Sequence, residues 1–582
     1  MCGIHLFVER DRGCTHCQAL SKTHSDDDED EDEDDDDDAF STIIRRRGPD
    51  SFHKVHLNLP PTINSDEATT RIFLQASVLQ MRQDLVEQPL ALEFCSGGSK
   101  SFWKYFLCWN GEVYQAVEDK DDHAGDYGTS DTRLVANRLA KALDDTTEDS
   151  IDSIASNIAT VMGGLYNAEF AFVLLRSDGE IFYGRDAWGR RSLLRLDCEQ
   201  CRSFHLASTA PFMIKKPQNE DENSSNDPDS MVWSEVKPGM VHATAAAQPK
   251  IRSFPFPFAE LPTRAQSSFS DRLSSPTRQA ISEELSKASS ELEFHLSNAV
   301  KCRLGHHSLP TAVLFSGGLD SAVVAALAAR HCETTLYLYN VSFGPSYDKS
   351  ADRQAALVTH ERLQTQYPDK KIIFQDIVVD WDDICREEPH VRTILQPKTT
   401  LMDVNIAMAL WFASGGGKNV ARPCTISVAE PLEPRVLLLG MGADELLGGY
   451  GRHRKAFERG GWEELQNELD LDQSRFWERN LGRDDRIVAD HGREARFPFL
   501  DPHVTQFLQG IPLSLICDFS LPPGQGDKRI LRLVAQRLGI DHASGLVKRA
   551  IQFGSRISHL SDAKRFGSRR KAKGDASVKV PL

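Results

Sequence analysis

Two folds in tandem are predicted by the sequence, a layered α+β domain followed by an α/β domain built on a parallel sheet. Three observations predict this. Short apolar runs closed by Gly or Asn/Asp turns fill the first half, the signature of strands in an antiparallel or mixed domain. Long amphipathic helical stretches alternate with buried apolar runs in the second half, which implies βαβ units. A Pro/Ser-rich stretch separates the two, as linkers do. A chain of 582 residues is also long for one core.

In the first half the predicted strands are Ile4–Val8, Phe106–Trp109, Phe170–Leu175, Ile181–Tyr183 and Phe204–Ala207. Helical periodicity covers Thr132–Leu143 and Ile151–Val161. Polar sequence from Lys216 to Ser230 and the Pro/Ser-rich stretch from Pro255 to Pro276 interrupt the pattern. From Ser282 onward the predicted strands are Thr311–Phe315, Thr335–Val341, Lys371–Val378 and Val436–Leu439. The expected divisions are a first domain over 1–250, a linker over 251–284, a second domain over 285–560 and a basic tail over 561–582.

The net charge of -17 is concentrated in Asp26–Asp38, an unbroken acidic run. Charge of that density repels itself and cannot bury apolar area, so it reads as a solvated insertion or a docking loop for a protein partner, and it argues against nucleic-acid binding by that face. The tail carries Arg569, Arg570, Lys571 and Lys573, a nuclear address or a solvated end. Without a long apolar stretch or a leader pattern, a cytoplasmic protein away from membranes is expected. Twelve dispersed cysteines fit reduced thiols. The pairs Cys14/Cys17 and Cys198/Cys201 lie too far apart in sequence for the usual zinc spacing, and no metal is assigned to them.

Chemistry concentrates in two loops of the second half. An apolar strand runs from Thr311 into Ser316, Gly317, Gly318, Leu319, Asp320 and Ser321, and a small-residue helix follows. Small residues let backbone N–H groups approach a phosphate, and the helix N-terminus favours the anion. A carboxylate in such a cradle repels the ligand unless a cation intervenes, so Asp320 implies magnesium. The second loop, Gly440 to Tyr450, follows the strand at Val436 and presents Asp444 and Glu445. Asp320 and Asp444, at the carboxyl ends of two strands, are expected to hold one Mg2+ ion on a pyrophosphate from both sides.

At the other end the chain begins Met1-Cys2-Gly3-Ile4. Removal of Met1 would leave a thiol beside a free α-amine, and one residue would then supply both nucleophile and general base.

These motifs resemble a known family. SGGLDS, GMGADELLGGY, Arg483-Asp-Asp485, Gly492 to Asp501 and Lys528 to Arg532 are similar to the synthetase domain of glutamine-hydrolysing asparagine synthetases, from Leu285 to Ser555. Arg47-Gly-Pro-Asp50, Asn110 to Tyr114, Asp131 and Arg185 to Gly189 resemble that family's amidotransferase domain. The resemblance implies an N-terminal-nucleophile amidotransferase sandwich followed by an ATP-pyrophosphatase domain of the adenine nucleotide α-hydrolase kind. It implies glutamine, ATP and an aspartate-like acid as small-molecule partners, with ammonia attacking an acyl-adenylate. Carried over residue by residue, Cys2 is the nucleophile, Asn110 and Gly111 form the oxyanion hole, and Arg47, Gly48, Glu112 and Asp131 bind glutamine. Leu314, Phe343 and Gly440 surround the adenosine, while Ser316, Gly317, Gly318, Asp320, Ser321 and Asp444 hold phosphates and metal. Lys528 neutralises charge developing on the phosphates, a solvated lysine being the alternative.

Three departures from the family pattern stand out. The acidic run is an insertion. Ser77 replaces the arginine that holds the glutamine carboxylate, with Arg82 as a nearby substitute. Met441 stands where the family has glutamate, and Ala407 and Met408 where it has an arginine-containing aspartate contact. Nucleotide residues are retained while acceptor residues differ, as in a divergent subgroup of proteins carrying this domain. An amide ligase for another carboxylate is therefore the second reading, and a partner-binding scaffold the third.

Overall fold

In a computed structural model of the chain, the described residues are 2–10, 39–60, 69–82, 84–95, 102–115, 130–144, 149–198, 200–211, 232–257, 278–304, 309–421 and 433–560. The acidic run, Cys14, Cys17, the 216–230 segment, most of the expected linker and the basic tail lie outside them.

Among the described residues the first half contains twelve strands: β1 (Gly3–Glu9), β2 (Ser51–Leu59), β3 (Thr70–Val78), β4 (Leu90–Cys95), β5 (Phe102–Gln115), β6 (Asn167–Arg176), β7 (Glu180–Arg185), β8 (Leu194–Asp197), β9 (Phe204–Ala207), β10 (Ser234–Glu235), β11 (Met240–Ala245) and β12 (Gln248–Pro255). They form two six-stranded sheets, ordered β10-β8-β9-β1-β3-β2 and β12-β11-β7-β6-β5-β4. All of these pairings are antiparallel. Alternation along β5 explains the layering. Phe106 and Cys108 face the other sheet, meeting Ile4, Leu6 and Leu74 in one core. Tyr105, Leu107 and Trp109 face the opposite way, against helices α1 (Asp131–Asp144) and α2 (Ile151–Gly163). A period of two therefore gives one strand two buried faces.

The second half is a parallel sheet ordered β15-β14-β13-β16-β17, from β13 (Thr311–Leu314), β14 (Leu336–Phe343), β15 (Ile372–Val379), β16 (Val436–Leu438) and β17 (Glu494–Arg496). All eight residues of β14 are buried, as a strand covered on both faces requires. β17 carries two charged residues in three and has no apolar run to announce it. Hydrogen bonding carries β12 to Pro255, past residue 250, and the first helix of the second half, α3 (Arg278–Arg303), begins before residue 285.

Buried ion pairs join the halves. Arg303 of α3 is fully buried and contacts Glu169 of β6 at 3.0 Å and Asp501 at 2.6 Å. Arg486 contacts Glu235 at 2.7 Å and the Ser192 hydroxyl at 2.8 Å. Breaking such a pair from one side leaves an uncompensated charge. Arg303→Met is expected to lower unfolding free energy by about 3–5 kcal/mol, checked by urea unfolding.

Candidate functional site

Two sites emerge, one around Cys2 and one between the loops after β13 and β16. Cys2 is buried just before β1, and its backbone N–H donates to the Asn110 Oδ1 of β5 at 3.1 Å. The buried Asn110 Nδ2 has no hydrogen-bond partner among the described residues, while Asn110 itself does not line the cavity beside Cys2. Asn110, Gly111 and Glu112 lie on consecutive positions of β5, and Asp131 is the first residue of α1. Cys2, Gly111, Glu112 and Asp131 share one small cavity with Arg82, Gln88 and Glu494.

Arg82 contacts Glu112 and Asp131 at 2.8 Å each. Burial, and then the neighbouring Glu112 charge, push the Asp131 carboxyl well above its usual range, with Arg82 opposing. Burial likewise pushes the Cys2 thiol up. Gln88 is the residue that sequence reasoning missed here. Its side-chain oxygen accepts from the Trp109 N–H at 2.7 Å, and its amide nitrogen donates to the Thr132 hydroxyl at 3.1 Å and lies 3.7 Å from Cys2 Sγ.

Two of the residues expected at glutamine are elsewhere. Arg47 donates to Asp485 at 3.0 Å and is buried as a tie between the halves. Gly48 lies against the β3 backbone, where a Cβ would come within 2.7 Å of Val78, and neither residue lines the cavity. Ser77 ties backbone segments together, since its hydroxyl accepts from the Gly3 N–H at 3.1 Å and donates to Ile44 O at 2.7 Å.

In the second site, β13 leads through Ser316 and Gly317 into helix α4 (Leu319–His331). Gly317 has φ +74, and a Cβ there would meet the Ala356 backbone nitrogen at 2.2 Å, so only glycine fits this turn. The Ser316 and Ser321 hydroxyls lie 3.2 Å apart. Leu314, Ser316, Asp320 and Ser321 line a cavity together with Leu439, Gly440, Met441, Asp444 and Glu445 from the other loop. Phe343 does not line it: its ring is buried edge-on against Phe412, and Tyr339, Asn340 and Val341 of β14 are exposed to the cavity instead. Ala407 and Met408 are also in the core, away from the cavity.

Between the loops, the Lys528 ammonium sits 2.6 Å from Asp320 and 2.6 Å from Asp444. At 2% exposure it is not a solvated lysine. Asp320 and Asp444, expected to hold magnesium from both sides, converge on the Lys528 ammonium, and with that cation between them the residues do not fit a metal clamped there. Lys548, which carried no sequence signal, also pairs with Asp444 and lines the cavity. Burial works against ionisation of Asp444, but Lys528 and Lys548 hold its carboxyl below the usual range.

Glu445, one residue further, accepts from the Tyr450 hydroxyl at 2.5 Å. Burial and then the Asp444 charge push it up to about 7. A raised folded-state value means the native protein holds a proton that the unfolded chain has released, so stability falls as pH rises from about 4.5 to about 7. Relative to Glu445→Gln, the wild type is expected to lose about 2–3 kcal/mol across that window, read as the difference between two urea-unfolding series.

The cysteine pair Cys198 and Cys201 lies at the β8–β9 turn. Among the described residues, no cluster of three or more His, Cys, Asp or Glu could hold a metal ion. No described helix is long and apolar enough to cross a membrane.

Residues 291–464 and 457–543 match the asparagine synthase family model. The chain is 29% identical to asparagine synthetase domain-containing protein 1 of Gallus gallus, across 96% of this chain and 97% of that protein. It is 36% identical to the protein of the same name from Homo sapiens, across 43% of this chain and 45% of that one. With the glutamine-hydrolyzing asparagine synthetase of Gallus gallus it shares 25% identity, across 74% of this chain and 69% of that enzyme.

Proposed function

We propose, from the premise that residues 291–543 belong to the asparagine synthase family, that the chain is an ATP-consuming, glutamine-dependent amide ligase. The observation that carries this reading is the Lys528 ammonium, 2.6 Å from each of two carboxylates on the two cavity-lining loops. A buried cation at the carboxyl ends of two parallel strands, beside a glycine cradle, suits the charge that builds on phosphates when a carboxylate displaces pyrophosphate. ATP donates the adenylyl group to an acceptor carboxylate there with loss of pyrophosphate, and ammonia then attacks the acyl-adenylate carbonyl, expelling AMP to leave the amide.

Ammonia comes from the other site. With Met1 removed, the Cys2 α-amine takes the thiol proton and the thiolate attacks the glutamine amide carbon. The Asn110 Nδ2 and Gly111 N–H groups hold the resulting oxyanion. Arg82 holds the glutamine carboxylate in place of the arginine absent at Ser77, and Asp131 takes the α-ammonium. The glutamine charges would thus replace the present Arg82–Asp131 contact.

Aspartate is the acceptor by family analogy. Met441 on the cavity wall favours a second reading, a less polar carboxylate acceptor. Incubation with ATP, magnesium, glutamine and aspartate is expected to release pyrophosphate and asparagine, and Asp320→Ala to abolish both. Pyrophosphate without asparagine would select the other acceptor, and neither product would sink the ligase reading.

A further inference from the structure

Glu494 belongs by sequence to the synthetase half, at the start of β17, where it lies in parallel register with Val436 and its N–H donates to Arg435 O at 2.7 Å. Its side chain nevertheless lines the same cavity as Cys2, Glu112 and Asp131. We infer that Glu494 is a positioning residue for the Cys2 nucleophile, so that the amide-hydrolysing site is complete only when both halves of the chain contribute to it. The inference rests on the N-terminal-nucleophile reading above.

The carboxylate is held from both halves. Its Oε1 contacts Arg496 Nε at 2.7 Å and Arg191 Nη2 at 3.2 Å. Burial opposes its ionisation, but Arg496 and Arg191 hold it below the usual carboxylate range. Neither Arg191 nor Arg496 lines the cavity, whereas Glu494 does. The other charges there are already engaged: Arg82 serves Glu112 and Asp131, and Arg496 also reaches Glu112 at 3.4 Å. Besides Glu494, Asp84 lines the cavity, and Arg47 acts on the Cys2 thiol with the opposite sign. Cys108 is a second buried thiol, raised by burial first and then by the neighbouring Cys2.

A fixed negative charge lining the same cavity as the amine that Met1 removal would leave on Cys2 stabilises the ammonium form of that amine. The amine can then accept the Sγ proton as the thiolate bonds to the amide carbon, and hold that proton until it passes to the departing nitrogen, which leaves as ammonia. The same charge disfavours free thiolate in the resting site, which keeps the nucleophile protonated until glutamine arrives.

The test uses the full chain with Glu494→Gln and Glu494→Asp. Iodoacetamide alkylation is followed against pH, read only on the Cys2 peptide by mass spectrometry, with circular dichroism confirming the fold. Glu494→Gln is expected to move the Cys2 midpoint to lower pH by about one unit, and Glu494→Asp to move it back. An unmoved midpoint would overturn the inference. So would slower alkylation without a shift, since a merely structural ion pair gives that result. Alkylation needs no turnover, so a shifted midpoint in a protein that does not hydrolyse glutamine would leave the role of Glu494 standing and remove the function reading instead.

Discussion

Lys528→Met is expected to cut pyrophosphate release by roughly two to three orders of magnitude and to lower unfolding free energy by about 3–5 kcal/mol. Both effects have one cause. The ammonium is almost fully buried and lies 2.6 Å from Asp320 and from Asp444. Methionine keeps the length and the apolar stem but removes the charge, so two carboxylates face each other with only Lys548 left to Asp444. The activity loss follows because charge that builds on phosphates in the proposed transition state loses one of the fixed cations beside the cavity-lining loops. The two effects separate experimentally: urea unfolding reads the first, and pyrophosphate release well below the unfolding transition reads the second. A variant destabilised as expected but fully active would show that Lys528 only glues the loops.

Cys2→Ala is expected to reduce glutamine-driven amide formation by at least ~10^3-fold while leaving ammonium-driven formation within about twofold. Alanine is smaller by one sulfur, and the stability cost should stay near 1 kcal/mol. The contrast works because the two cavities have no lining residue in common: in the proposed reaction Cys2 acts only on glutamine, and external ammonium bypasses it. Equal loss with both nitrogen sources would mean that Cys2 supports the synthetase half structurally. Retained glutamine use would remove it as the nucleophile.

The motifs that survive from sequence to structure are those whose chemistry is local. SGGLDS forms a cradle because strand, glycine turn and helix are contiguous, and Gly317 needs its positive φ whatever surrounds it. Asn110, Gly111 and Glu112 stand on one strand, and Asp131 opens a helix, as the short spacing suggests. Sequence spacing could not say who answers those residues. Arg47 goes to Asp485, 438 positions away, and Phe343 turns into the core although its neighbours on β14 reach the cavity.

The order of a layered α+β half before a parallel-sheet α/β half, and the glycine turn after β13, were thus legible in the sequence alone, because strand and helix periodicity and glycine requirements act within a few residues. Only the tertiary structure decided that Arg82 faces Asp131, that two lysines meet Asp444, and that Glu494 closes the Cys2 cavity. Each of these is an electrostatic contact between segments far apart in the chain. Such a pair leaves no periodic trace in sequence, since the burial that gives it strength arises only when segments distant in the chain pack together and exclude water around it.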